Sequence, residues 1–231
     1  AQKNLEGRNY SIRKQVLEYD NVMNTQRQVI YAQRQKVLDG EELKENMLSM
    51  LRSVVESGIT DALSESGGIV DETALAAVVS KFEGIYIPKG SLAGQEFSSA
   101  EELTEAVYDM AVDTYNRKEA SCTSPVMREL ERVVMLRVVD EYWMDNIDAM
   151  DDLKQGIGLR AYGQNDPVVE YKREGFEMFE QMIAAIQEET LRRLFTVRLR
   201  KDEEVKRERV AKVTSESSGG DGTVRKQPTR V

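Results

Sequence analysis

The stretch QGIGLRAYGQNDP, Gln155 to Pro167, admits two readings that lead to different folds. Its first part, Gly156-x-Gly158-x-x-Ala161, spells the G-x-G-x-x-G/A turn that receives a dinucleotide pyrophosphate. That turn needs a strand before its first glycine, a helix directly after it, and an acidic residue about 20 positions on. Here Gly156 follows about 30 residues of helical pattern, and no parallel-sheet strand pattern occurs anywhere in the chain. The next helix start is Asp166-Pro167, an acid able to cap followed by proline at the first helical position. The glycines therefore read as the turn between two helices. The expected fold class is all-α: a long scaffold helix and an antiparallel two-helix hairpin, with a small helical subdomain inserted between them.

The two arms of the hairpin carry the pattern that supports this. Upstream, Pro125 opens a helix in which Val133, Leu136, Val139, Trp143, Ile147, Met150, Leu153 and Ile157 keep a spacing of three to four. Met135, Val138 and Tyr142 add a second apolar face, as in a helix buried between partners. Downstream, Phe176, Phe179, Ile183, Ile186 and Leu194 mark the expected core face. A short loop between two such helices gives an antiparallel pair, a rod of about 45 Å. Turns are ordinarily polar, yet this one carries Ile157, Leu159, Arg160 and Tyr162. Two readings stay open on this pattern alone: a plain turn, or a surface that meets a partner.

Further out, residues 5–38 read as one long helix. Val16, Met23, Ile30 and Val37 recur every seven residues, with Leu5, Ile12 and Tyr19 between them. The second position turns polar at Gln26 and Gln33, which narrows the stripe. Between the two long blocks, helical stretches fall at about 41–64, 71–83 and 99–119. They are separated by Gly67-Gly68 and by the segment YIPKGSLAG. Ser99, with Glu102 three positions on, has the form of a capping box. Residues 39–123 hold 17 acidic and 6 basic side chains, a net of −11, whereas residues 1–38 carry a net of +4. That asymmetry suggests a separate middle unit. The expected divisions are 1–39, 40–123, 124–200 and a charged linker, 201–231, expected to be disordered.

Composition excludes much. With no histidine and a single cysteine, Cys122, there is no Ser-His-Asp or Cys-His set, no H-E-x-x-H zinc site and no internal disulfide. A net charge of −9 argues against binding nucleic acid through the overall field. No apolar run approaches the ~18 residues of a membrane span, and no signal-peptide core is present. The absence of an initiator methionine suggests a piece of a longer protein. Asp145, Asp148 and Asp152 share a helical face and read as a solvated surface. The basic residues of 198–212, interrupted by four acids, could meet anionic lipid.

Two blocks then make the sequence recognisable. EGRNYSIRKQVLEYDNVMNTQRQVIYAQR (6–34) and VMLRVVDEYWMDNIDAMDDLKQGIGLRAYGQNDPVVEYKREGFEMFEQMI (134–183) closely resemble the C-terminal part of the SecA family of bacterial protein-export motors. The resemblance implies that the first block is the helical scaffold's long helix. The acidic middle would be the helical wing, and the second block the two-helix finger. Gln155–Asn165 would then be the fingertip, with Ile157, Leu159, Arg160 and Tyr162 facing preprotein and channel. Trp143, Ile147, Met150, Phe176 and Phe179 would hold the hairpin, which in the family restrains ATP hydrolysis. Ile12, Val16, Tyr19, Met23 and Ile30 would form the scaffold seam.

The partners so implied are the SecYEG channel, unfolded secretory preproteins and the nucleotide-binding domains of the full-length chain. The implied location is cytoplasmic, peripheral at the inner face of the cell membrane. ATP and magnesium belong to the full-length protein. No G-x-x-x-x-G-K-[ST] loop occurs here to hold a phosphate. The sequence departs from the family at Asn146, Lys154 and Asn21, where histidine, arginine and aspartate are usual. Nothing matches the family's cysteine-rich zinc tail, so its partner is not carried over. With the motor absent, the first helix and the face around Met135 and Val138 are expected to stay exposed and favour self-association.

Overall fold

The structure is a computed structural model that describes residues 2–40, 42–160 and 166–198, with side chains described for 13–40, 42–157 and 166–198. It comprises α1 (Gln2–Asp39), α2 (Leu43–Ser64), α3 (Glu72–Phe82), α4 (Ala100–Cys122), α5 (Ser124–Arg160) and α6 (Pro167–Thr196). The fold is all-α, as its stripes and caps require. Among the described residues there is no strand, only an isolated bridge between Glu83 and Ile87.

The helix starts follow from local chemistry. Asp71 caps α3 by accepting the Ala74 N–H at 2.7 Å. Asp166 caps α6 by accepting from Val168 N–H at 2.9 Å, with Pro167 at the first position. Ser99 Oγ accepts from Glu102 N–H at 3.1 Å, but Glu102 reaches one residue further back than a capping box requires. It accepts from the Ser98 N–H at 2.8 Å and from the Ser98 hydroxyl. A single residue, Thr123, joins α4 to α5, at φ 77 and ψ 148.

α5 and α6 form the most extensive helix pairing, and both lie against α1; α2 packs on α3, α4, α5 and α6. The larger apolar core draws on all six helices. It includes Leu51 and Val55 of α2, Val107 and Tyr115 of α4, Met135 and Val138 of α5, and Leu191 and Leu194 of α6. Met135 and Val138 are therefore buried within this chain, against the expectation that they face absent domains. The α2–α4 layer covers them.

Two further expectations change. α5 does not stop at Gly156 but continues helically to Arg160, because no neighbour crowds Gly156 and Leu153 and Ile157 anchor the turn around it. The face assignments also shift. Val16 is 42% exposed, Ile147 38% and Phe176 59%. The buried seams run instead through Tyr19, Gln26, Ile30 and Val37 on α1, and Tyr171, Gly175, Met182 and Ile186 on α6. Gly175, rather than Phe176, faces the partner helices, and a Cβ there would require the end of the Met150 side chain to shift. A Cβ at 175 would lie 2.8 Å from Met150 Cε.

Candidate functional site

The hairpin α5–α6 on α1 is the candidate working part, and it is held in three successive layers. Nearest the α2–α4 layer, Ile30, Val139, Trp143, Met182 and Ile186 belong to the main core. Next comes a polar layer. Gln26 Nε2 donates to the Gly175 carbonyl at 2.9 Å, and Asn146 Nδ2 donates to Gln26 Oε1 at 3.1 Å. Both side chains are buried, so one amide pair links all three long helices. Towards the turn, Tyr19, Met150, Leu153, Ile157 and Tyr171 make a second apolar cluster. The rings of Tyr19 and Tyr171 stand 4.5 Å apart at 56°, a tilted aromatic pair. Burial pushes the Tyr171 phenol up to about 12. Ion pairs between helices run alongside: Arg34–Asp140 at 3.1 Å, Lys154–Asp20 at 3.3 Å and Lys172–Glu18. They are exposed and each adds little.

The residues singled out in the sequence divide accordingly. Tyr19, Ile30, Trp143 and Met150 are buried in the seam, and Met23 and Phe179 pack against it. Ile157 is a correction. It is only 2% exposed and closes the second cluster, so it cannot be a contact residue at the tip. The continued helix places it one heptad after Met150. Leu159 and Arg160 lie on the last turn of α5, but their side chains, like that of Ile12, fall outside the described set; Tyr162 lies outside the described residues. Asp145, Asp148 and Asp152 are exposed on α5. Among the described residues no group of three or more acidic or thiol side chains could hold a metal ion. Nor is any helix long and apolar enough to cross a membrane.

Sequence reasoning missed a second polar joint, between α4 and α5. Glu131 is 0% exposed. It accepts from the Tyr115 hydroxyl and from Arg128 at 2.9 Å. Arg128 also donates to Tyr115 Oη at 2.7 Å and to Glu119 at 3.2 Å, and Lys44 of α2 reaches Glu119 at 2.8 Å. Burial raises the Glu131 carboxyl above its usual range, opposed by Tyr115 and Arg128. The signal was present: Met127, Glu131, Val134 and Val138 keep core spacing, with a charge at one core position.

A nucleotide does not fit these residues. The glycine pair Gly67-Gly68 precedes a helix, as a phosphate loop would. That helix, however, is capped by the Asp71 carboxylate, which occupies the N–H a phosphate would need and repels it.

The fold thus defines a helical scaffold that carries a braced hairpin arm. Residues 1–198 match the family described as "SecA Wing and Scaffold domain". The chain is 45% identical over 226 residues to "Protein translocase subunit SecA 1" of Clostridioides difficile, covering 97% of this chain and 25% of that protein. It is 48% identical over 202 residues to "Protein translocase subunit SecA" of Pelotomaculum thermopropionicum, covering 85% and 22%. It is 46% identical over 233 residues to the protein of that name from Clostridium perfringens strain ATCC 13124, covering 100% and 28%. The chain belongs to the SecA family, and it spans about a quarter of the length of these relatives.

Proposed function

We propose that this region is the mechanical and regulatory part of a protein-translocating ATPase. It joins the nucleotide-binding domains of a full-length chain to an unfolded secretory preprotein and to the SecYEG channel at the inner face of the cell membrane. ATP and magnesium would bind in those domains, not here. In this reading residues 40–123 are the wing, and 1–39 with 124–200 are the scaffold and its two-helix finger. A free-standing adaptor is the weaker reading, because the match is to a defined region of a translocase subunit and not to an isolated module.

The observation that carries the proposal is the bracing of the hairpin. α5 has 37 residues, so its rod is about 55 Å long. Three layers fasten that rod to α1, the last only one turn from its end. A stiff rod delivers motion at one end to contacts at the other. Leu159, Arg160 and Tyr162 are the contact residues we propose. Burial of Ile157 removes it from that set and makes it the anchor beneath them. Exposed Leu17, Tyr31 and Leu38 on α1 are the surfaces we assign to the rest of the full-length protein, or to self-association when it is missing.

Tyr162→Ala in the full-length protein tests this. Truncating a side chain that acts by contact and not by packing should change stability by no more than about 0.5 kcal/mol. ATP hydrolysis without preprotein should persist. Movement of a secretory polypeptide into SecYEG-containing vesicles should fall several-fold, since an aromatic ring grips any passing sequence. Undiminished transport, or a sharply lowered melting temperature, would remove Tyr162 from the contact set.

A further inference from the structure

We propose that Lys118 of α4 is a clasp through which the α2–α4 layer determines where α6 ends. The last carbonyls of any helix lack amide partners and gather the negative end of its dipole. In α6 those carbonyls are taken by one ammonium group. Lys118 Nζ donates to the carbonyls of Leu194, Phe195 and Val197, the last two at 3.2 and 2.6 Å. An ammonium has three protons, so its whole donor capacity is spent on this one helix end. Its partial burial strengthens the bonds and lowers the amine's proton affinity.

The surrounding contacts come from the same layer. Phe195 packs its ring 5.3 Å from that of Tyr86 and 6.5 Å from that of Tyr115. The Tyr86 hydroxyl donates to the Glu188 carbonyl at 3.4 Å, about two turns earlier. Within α6 itself, the Val197 N–H closes on the Arg193 carbonyl at 2.9 Å. The carbonyl end of the final turn is therefore fastened from outside its own helix. Lys118 stands one turn from Thr123, the single-residue link to α5. Any rotation of α4 about that link moves the ammonium relative to the carbonyls. The turn then loses these three bonds. The position of the α2–α4 layer is thus felt at the last turn of α6.

Hydrogen–deuterium exchange of the 231-residue chain tests the clasp. Lys118→Met keeps most of the apolar stem and removes the three donors. Amides of 194–197 should exchange about tenfold faster, in proportion to the loss of charged hydrogen bonds. Those of Val54–Ile59 in α2 should be unchanged. Lys118→Arg, which retains charge and donors, should recover most of the protection. Unchanged exchange at 194–197 in Lys118→Met would overturn the proposal. So would an equal rise in α2, which would mark a general core defect. If Lys118→Met does not fold, Lys118→Gln, which cannot reach three carbonyls, is read by the same comparison.

Discussion

Gln26 and Asn146 form a polar layer between apolar ones, and each depends on the other. A buried amide left without its partner costs about 1–3 kcal/mol, whereas removing both partners together can be nearly neutral. Asn146→Leu should therefore destabilise by about 1–3 kcal/mol in urea titration, because Gln26 Oε1 loses its donor. Gln26→Leu should cost a similar amount, and the double replacement less than the sum of the two. Strict additivity would mean that the two side chains do not act as a unit. The sequence displayed Gln26 only as a break in the heptad stripe. Asn146 appeared only as a departure from the family's usual histidine. Polar residues at core spacing look like interruptions until the third member is found. Here that member is a backbone carbonyl, at Gly175, which no side-chain pattern can display.

At the level of the helix, α5 tests how far periodicity can be trusted. Helix type, the α5–α6 hairpin and the buried Trp143 were all legible from apolar spacing. The face was less so, because α5 is apolar on two sides. Met135 and Val138 go inward, while Ile147 and Met144 stay out. On α6 the same ambiguity placed Phe176 in the core, where the end of the Met150 side chain instead packs close over Gly175. Truncation separates these cases. Trp143→Ala should cost about 3–5 kcal/mol. Phe176→Ala, in the same hairpin and also an aromatic truncation, should cost no more than about 0.5 kcal/mol. Equal losses in thermal or denaturant unfolding would mean that the seam is drawn on the wrong face. The tip was half legible. Its glycines announced a turn, yet α5 runs on past two of them, because packing of Leu153 and Ile157 outweighs the roughly 1 kcal/mol helix cost of each glycine.

For the whole molecule, the charge asymmetry suggested an independent middle unit, but the apolar core does not respect that division. Val55 and Tyr115 share a cluster with Trp143 and Leu194, and residues 1–198 form one compact body. Polar joints cross the same boundary at Glu131 and Lys118. Unfolding should therefore be a single event. Fluorescence of Trp143, the sole tryptophan, should report the same midpoint as helix content by circular dichroism. Two separated midpoints would restore an autonomous middle. Charge reports what faces water and partners, not which helices share a core.

The single-residue link at Thr123 has a consequence for how this architecture tolerates change in length. Thr123 is the one non-helical residue between the two helices, at φ 77 and ψ 148, so a residue added or lost there would change the direction in which α5 leaves α4. The face carrying Val138, Trp143 and Asn146 would swing out of register with α1, and the hairpin arm would point elsewhere. Insertions should be tolerated at Gly67-Gly68 or around Gly90, where loops absorb them, and excluded from Thr123. A one-residue connection thus acts as the compass bearing of a long lever.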